Sequence, residues 1–198
     1  LLRGTEIHVP EYQRAYSWDS DMTSDSASIS SKQVTVFLND IMDYISFERK
    51  THYYLGHFIF ERRDDNGYNI IDGQQRLTTV EICISALLKR IEELNGQLND
   101  DEIAIKEDIL AIRKKRHFHT VAYDDSVFAD YVVEAKPFDK EFISTLETES
   151  QRRILAAMSY FRTEFSKMEY EKLKSVMYAI ADAACTTHVV SDKSEAVQ

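Results

Sequence analysis

The chain has 198 residues, 43% of them hydrophobic, which is enough for one sizeable domain or two small ones with a real core. Its 5 glycines and 2 prolines favour a helix-rich architecture over a sandwich or a barrel. A formal net charge of -10 opposes a broad binding surface for duplex DNA, and 2 cysteines exclude a disulfide framework.

The N-terminal segment combines an extended stretch with a cluster of aromatic residues. Residues 6–10 predict a short strand that ends at a proline. Residues 12–18 then contain three aromatic rings together with Gln13 and Arg14. Such rings beside an amide and an arginine form a platform for a nucleotide base, but they serve equally well as packing, and both interpretations stay open. The Ser- and Asp-rich residues 19–32 predict a solvated loop.

A helix and a hairpin follow. Apolar residues recur at helical spacing over residues 32–47, which predicts an amphipathic helix. Residues 53–61 are typical of a strand, and Gly56 within them indicates a bulge or a close approach to the backbone. The turn signal Asp-Asp-Asn-Gly at 64–67 predicts that this strand pairs with residues 68–71 as a hairpin. We expect the extended N-terminal segment to join the same small sheet.

The hairpin leads into the turn Asp-Gly-Gln-Gln-Arg at residues 72–76, and apolar residues at helical spacing continue from there to Leu94. A strand-to-helix turn with a central glycine turns backbone N–H groups toward one point, which favours an anion. Arg76 adds a forked cation suited to a phosphate, and Asp72 adds a carboxylate for a metal or a hydroxyl. The alternative is that Asp72 caps the helix and the glutamines are merely exposed.

The second half is predicted to be almost wholly helical from about residue 101, with a strand over 187–190. The basic cluster at 113–116 is expected to end a helix, where cations complement the helix dipole. His117 and His119 alternate as strand ligands of a metal would. No cysteine or carboxylate joins them at a metal-site spacing in the sequence, so we expect packing or exposure.

Three segments together, residues 7–18, 54–56 and 70–79, resemble the N-terminal domain of GmrSD-type restriction endonucleases. That domain is a ParB/sulfiredoxin-like module of restriction-modification and phage defence proteins. The resemblance covers about the first 95 residues. It implies an α+β fold in which a small ParB/sulfiredoxin-like mixed sheet is covered by helices over residues 1–98. A helical subdomain over residues 99–198 would follow and continue beyond the chain.

The resemblance also implies nucleotide chemistry, because in this family the motif is associated with binding and hydrolysing a nucleoside triphosphate to gate DNA cleavage by a nuclease domain. It implies catalytic roles for Asp72, Gln74 and Arg76, with Mg²⁺ as cofactor and Asp72 as its ligand. The residues implied in nucleotide binding are Tyr12, Gln13, Arg14, Gly73, Gln74, Gln75, Arg76 and Thr78.

The sequence also allows expectations about the partners and the location of the protein. The sequence contains no HNH-like nuclease signature, so DNA contact is expected through sequence beyond this chain or through a partner nuclease. A non-catalytic module that binds a nucleotide or nucleic acid and signals occupancy to a partner remains the alternative. No apolar run reaches the roughly 18 residues of a membrane span. We therefore expect a cytoplasmic protein with no membrane partner.

Overall fold

The computed structural model describes residues 5–20, 32–47, 51–113 and 115–190. Its strands are β1 (Ile7–His8), β2 (Tyr54–Arg62), β3 (Tyr68–Asp72), β4 (Ala111–Ile112), β5 (Lys115–Arg116), β6 (Phe118–His119) and β7 (Ala184–Val190). Its helices are α1 (Gln33–Ser46), α2 (Gln74–Asn95), α3 (Asp100–Ile109), α4 (Ala122–Phe128), α5 (Lys140–Thr145), α6 (Glu149–Ser166) and α7 (Tyr170–Ala181). A π-helical segment, Ala129–Val133, continues α4. The loop predicted over residues 19–32 lies mostly outside the described residues.

Five strands form one mixed sheet in the order β6-β1-β3-β2-β7. β2 and β3 pair antiparallel, whereas β1 runs parallel to β3 and β6, and β7 runs parallel to β2. The predicted hairpin and the predicted N-terminal strand are therefore confirmed, as is the α+β class. Both edge strands come from beyond residue 98, so the second half contributes to the sheet as well as to the helices. The division into two units at that residue stays a prediction.

The long helix α2 lies at the centre of the fold. It packs against α3, α6 and α7, and most of its side chains from Gln74 to Ile91 are buried. A helix that is buried almost all round belongs to the middle of a core rather than to a surface. Five fully buried phenylalanines add bulk to the same core: Phe58, Phe118, Phe128, Phe161 and Phe165. The hairpin and the helical half thus share one hydrophobic interior.

The basic cluster at 113–116 departs from its predicted structure. The preceding helix ends at Ile109, and β4 and β5 form a small antiparallel hairpin instead. Arg113 takes a positive φ of 47° at the tip of that hairpin, a conformation that ends any helix. The prediction that these cations complement a helix C-terminus is therefore wrong. The strand predicted at 187–190 is confirmed and begins earlier, at Ala184.

Across the described ranges, none of the helices has the length and apolar character needed to cross a bilayer.

One carboxyl group within the core has no polar partner. Glu81 on α2 is 0% exposed, and neither of its oxygens has a hydrogen-bond partner among the described residues. Burial raises the pKa of this carboxyl well above its ordinary value of 4.5, and the charge of Arg116 opposes the rise only in part. The folded chain therefore holds Glu81 as a neutral acid under conditions where the unfolded chain ionises it.

Glu81 should make the fold less stable as the pH rises. Above its ordinary pKa the unfolded chain releases the proton that the folded chain keeps. The free energy of unfolding then falls with pH until the raised pKa is reached, by at most about 1.4 kcal/mol per pH unit. Glu81→Gln should remove this contribution. In urea unfolding between about pH 5 and pH 8, the free energy of unfolding of the variant should therefore increase relative to that of the wild type as the pH rises.

Glu93→Gln is the matched control, because Glu93 lies on the same helix and is exposed. It should leave the pH dependence of the wild type unchanged. A constant difference between Glu81→Gln and the wild type over the whole pH range would contradict the prediction.

Candidate functional site

The turn between β3 and α2 depends on Gly73. This residue has a φ of +95°, and a Cβ added to it would lie 2.4 Å from the Phe58 ring. Both the conformation and the space therefore require glycine. Gly73 occupies the N-cap position of α2, with no side-chain cap bond. The alternative that Asp72 caps the helix is accordingly wrong: Asp72 is the exposed last residue of β3, opposite Ile59.

Gln75, in the first turn of α2, holds the N-terminal segment in place. Its side-chain oxygen accepts a hydrogen bond from the backbone N–H of Ser17 at 2.7 Å, and its Nε2 donates to the carbonyl of Ala15 at 3.0 Å. The side chain is buried, so the alternative that the glutamines are merely exposed is wrong. A single amide therefore satisfies two backbone groups that lie about sixty residues away in the chain.

Gln74 makes a second link to the same segment. Its Nε2 donates to the side-chain oxygen of Gln13 at 3.0 Å, and the Nε2 of Gln13 donates to the carbonyl of Ile71 at 2.8 Å. Thr78 is buried beside them and donates to the carbonyl of Gln74. The space that remains between this part of α2 and Arg14 is about 10 Å³, room for about one water molecule.

Arg76 points the other way, across the start of β2. Its Nη1 donates to the carbonyl of His57 at 3.2 Å, and its guanidinium lies 5.4 Å from the centre of the Phe58 ring. Gly56 has a φ of +106°, and a Cβ on it would lie 2.5 Å from that Nη1. The close approach predicted at Gly56 is therefore confirmed, and the group that approaches is the guanidinium of Arg76.

Arg76 also lines a cleft of about 380 Å³, which we call the aromatic cleft. One face of helix α1 lines the cleft, through residues at positions i, i+3, i+4 and i+7: Gln33, Val36, Phe37 and Asp40. Trp18 lines it from the N-terminal segment. The start of β2 and the residue before it form a further wall, with Tyr53, Tyr54, Leu55 and Gly56.

A family model described as the GmrSD restriction endonuclease N-terminal domain matches residues 1–197. The chain belongs to this family. The match extends well past the first 95 residues, so the domain includes the helical half and both edge strands of the sheet. A search of curated proteins found no match. The GmrSD N-terminal domain is a component of restriction-type defence proteins, and this chain is one such component.

Each of the three segments that carry the resemblance to GmrSD N-terminal domains contributes a side to the aromatic cleft. They supply Trp18, the Tyr54-Leu55-Gly56 stretch and Arg76. The sequence did not predict the other lining residues, which are Gln33, Val36, Phe37, Asp40 and Tyr53. A signal for four of them existed, since Gln33, Val36, Phe37 and Asp40 share one face of the predicted helix α1.

The charges in the cleft act on one another. Burial raises the pKa of Tyr53 to about 12, the carboxylate of Asp40 adds to the rise, and the charge of Arg76 opposes it. Tyr53 therefore stays a protonated hydrogen-bond donor at neutral pH. Among the described residues that line the cleft, Asp40 is the one carboxylate and Arg76 is the one cation. A cation and a carboxylate beside aromatic faces provide contacts for a ligand with both a planar ring and charged groups.

The residues predicted from the sequence thus fall into three groups. Gln13, Gln74, Gln75 and Thr78 bond to one another or to the backbone of the N-terminal segment and the turn, whereas Arg76 alone of the turn residues lines the cleft. The remaining predicted residues have other surroundings. Tyr12, Arg14 and Asp72 are exposed, and Gly73 packs on Phe58.

Gln75→Leu should destabilise the domain. The change leaves the Ser17 N–H and the Ala15 carbonyl without their partner, and each unpaired backbone group costs about 1–3 kcal/mol when it is shielded from water. We expect a lower melting temperature by circular dichroism and a red-shifted emission of the neighbouring Trp18. Gln97→Leu, at an exposed position, is the control and should change neither. Equal melting temperatures for the two variants would contradict the bonding role of Gln75.

Proposed function

We propose that this GmrSD N-terminal domain binds a nucleoside triphosphate in the aromatic cleft. The observation that supports the proposal is the convergence of Trp18, Tyr54 and Arg76, from three separate segments, on one cleft. Its volume of about 380 Å³ falls within the range of roughly 300–1,000 Å³ typical of small-molecule sites. The ligand places its base against the aromatic residues and its phosphates against the arginine.

The aromatic side chains suit a base. Trp18, Tyr53 and Tyr54 all line the cleft, and Tyr54 is 59% exposed. Stacking of a base on an aromatic side chain contributes about 1–3 kcal/mol and tolerates any base, because every base has a π face. Base identity would then depend on polar groups at the rim, among which Gln33 and the Tyr53 hydroxyl can form hydrogen bonds.

Arg76 suits a phosphate because no carboxylate of the described residues neutralises its charge. It forms no ion pair with Asp72 or with any other carboxylate in the part of the chain that the structure describes. Its one hydrogen bond there, to the carbonyl of His57, uses a single N–H. The other guanidinium N–H groups remain for a ligand, and charge-assisted bonds of this kind contribute roughly 1.5–3 kcal/mol each.

Asp40 is the carboxylate in the cleft that fits a Mg²⁺ ion. Mg²⁺ in nucleotide sites uses one or two carboxylates together with substrate phosphates and waters, so a single carboxylate beside the phosphate site is sufficient. Such an ion neutralises phosphate charge when it is bound. Asp72, the ligand that the resemblance implies, lies at the exposed end of β3 and is not among the residues that line the cleft.

We propose further that the bound nucleotide is hydrolysed and that its occupancy gates DNA cleavage by a nuclease domain outside this chain. Family membership supports this. Of the predicted catalytic set Asp72, Gln74 and Arg76, only Arg76 lines the cleft. One observation favours the second candidate, a non-catalytic nucleotide-binding module. The amides of Gln74 and Gln75 are already bonded to the N-terminal segment, so neither is poised to orient a water molecule in the cleft.

Binding can be measured with the chain's own fluorescence. Trp18 is the only tryptophan in the chain and lines the cleft, so its emission reports occupancy directly. We expect saturable quenching when ATP, GTP, CTP or UTP is added with Mg²⁺, excited at the red edge of the tryptophan band to limit absorption by the nucleotide. Arg76→Ala should weaken the affinity about tenfold or more, since a contact of at least 1.4 kcal/mol is lost.

Arg62→Ala is the matched control for Arg76→Ala. Arg62 also lies over an aromatic ring, that of Tyr68 at 5.9 Å, but it does not line the cleft. The control should bind nucleotide as the wild type does. Equal affinities of the wild type and Arg76→Ala, with quenching intact, would place the phosphates elsewhere and overturn the proposed pose.

Phosphate release distinguishes the two candidate functions. If the domain hydrolyses the nucleotide, release should accompany binding and should be reduced in Asp40→Asn or Asp72→Ala, whichever carboxylate acts on the phosphates. Saturable binding without release from the purified chain would favour the non-catalytic module. Comparing the two carboxylate variants under identical conditions also tests whether Asp72 acts despite its position outside the cleft.

A further inference from the structure

A second cluster of polar side chains lies toward the opposite edge of the sheet from the aromatic cleft. β1 and β6 pair in parallel, with His8 directly opposite His119. Glu6 precedes His8 by two residues, so the two side chains lie on the same side of the extended backbone. The strand register thus brings together a carboxylate and two imidazoles that are more than a hundred residues apart in the chain.

The distances within the cluster suit a metal ion. The Nε2 atoms of His8 and His119 lie 3.0 Å and 3.7 Å from Oε1 of Glu6, and all three residues offer ligand atoms within 4.8 Å of one another. Ligands about 2.0–2.1 Å from a tetrahedral ion are about 3.3–3.4 Å apart, so the two measured distances bracket the required one. The imidazole rings are stacked at 4.4 Å with planes 6° apart. Rotation about χ2, a soft torsion, is needed to turn their lone pairs toward a common point.

The surrounding residues leave Oε1 of Glu6 and the Nε2 atoms of the two histidines free to face an ion. Lys115 pairs with the outer oxygen of Glu6 at 3.3 Å, which leaves Oε1 facing the histidines. Nδ1 of His119 lies 3.0 Å from Nη2 of Arg116 and 3.6 Å from Oδ2 of Asp125. Because a guanidinium can only donate, Nδ1 accepts a hydrogen bond from Arg116 in this arrangement. A histidine that coordinates a metal through Nε2 carries its proton on Nδ1, so metal binding requires Arg116 to turn away and Nδ1 to donate to Asp125, a carboxylate being the usual supporting partner.

We propose that Glu6, His8 and His119 bind one divalent transition-metal ion, for which Zn²⁺ is the best match. Two imidazoles and one carboxylate are ligands that Zn²⁺ accepts, and three protein ligands leave a fourth position for water. The three side chains are 35%, 24% and 23% exposed, so both the ion and this water can reach the site from solvent.

Two cations close to the cluster limit its affinity for a metal ion. Lys115 pairs with Glu6, and Arg116 lies within hydrogen-bond distance of His119. Their charges oppose the approach of a further positive charge, so we expect binding weaker than that of a closed structural zinc site.

Occupancy would join β1 to β6 through side chains as well as through the backbone. β1 has only two residues, so its pairing alone holds the N-terminal segment with few hydrogen bonds. An ion bound by both strands binds the folded chain and not the unfolded one, and it therefore stabilises the fold by mass action.

The test uses the untagged chain, because a histidine tag would itself bind the ion. After removal of metals with a chelator and exhaustive dialysis, Zn²⁺ is titrated by calorimetry, and Co²⁺ is added as a spectroscopic probe of the ligands. We expect one Zn²⁺ per chain, a higher melting temperature, and Co²⁺ bands without thiolate charge transfer. His119→Gln and Glu6→Gln should each weaken Zn²⁺ binding by about tenfold or more.

Two exposed histidines outside the cluster provide matched controls. His52→Gln and His188→Gln should bind Zn²⁺ as the wild type does. Cys185→Ser should also leave binding unchanged. Cys185 is the more accessible of the two free cysteines, and it is not part of the cluster. The absence of one-to-one binding by the wild-type chain overturns the proposal whatever the variants do. Binding that survives both Glu6→Gln and His119→Gln in folded protein overturns it as well.

Discussion

The fold depends on the hydrogen bonds by which the first turn of α2 holds the N-terminal segment. Gln75 satisfies backbone groups of Ala15 and Ser17, and Gln74 reaches the same segment through Gln13. The two residues of β1 pair with the sheet, and the buried hydroxyl of Tyr16 adds a bond to Thr79 on the same helix. These contacts therefore determine where Trp18 lies. Since Trp18 lines the aromatic cleft, they also determine whether the cleft is closed on that side.

Because the amides of α2 face one way and Arg76 the other, the turn serves two purposes at once. One side binds the domain's own backbone, and the opposite side presents a guanidinium to the cleft. The two glycines make this possible: Gly73 lets the turn pack on Phe58, and Gly56 leaves room for the arginine. The motif, which the sequence predicts to be a single phosphate site, is thus divided between building the fold and lining the cleft.

The sequence predicted those parts of the fold that local pattern determines. Periodicity identified α1 and α2, and the turn residues at 64–67 identified the hairpin, because these signals act between near neighbours. The two-residue strands β4, β5 and β6 escaped prediction because they are too short to show a period and no proline marks their ends as Pro10 marks that of β1. The partners of Gln75 were equally hidden, since the amide and Ser17 are 58 residues apart. Glu6 and His8 could not be connected with His119 either, because only the register of β1 and β6 brings them together.

The contact between Gly56 and the guanidinium of Arg76 has a consequence for how sequences of this fold can change. A methyl group at position 56 would lie 2.5 Å from Nη1, so a side chain there forces the guanidinium to move, and the φ of +106° strains that side chain as well. Loss of the arginine would remove the collision but not the strain, so glycine stays favoured at 56 even without Arg76. The coupling therefore runs in one direction: a substitution at Gly56 displaces Arg76 from the cleft, whereas a substitution at Arg76 leaves the requirement for glycine in place.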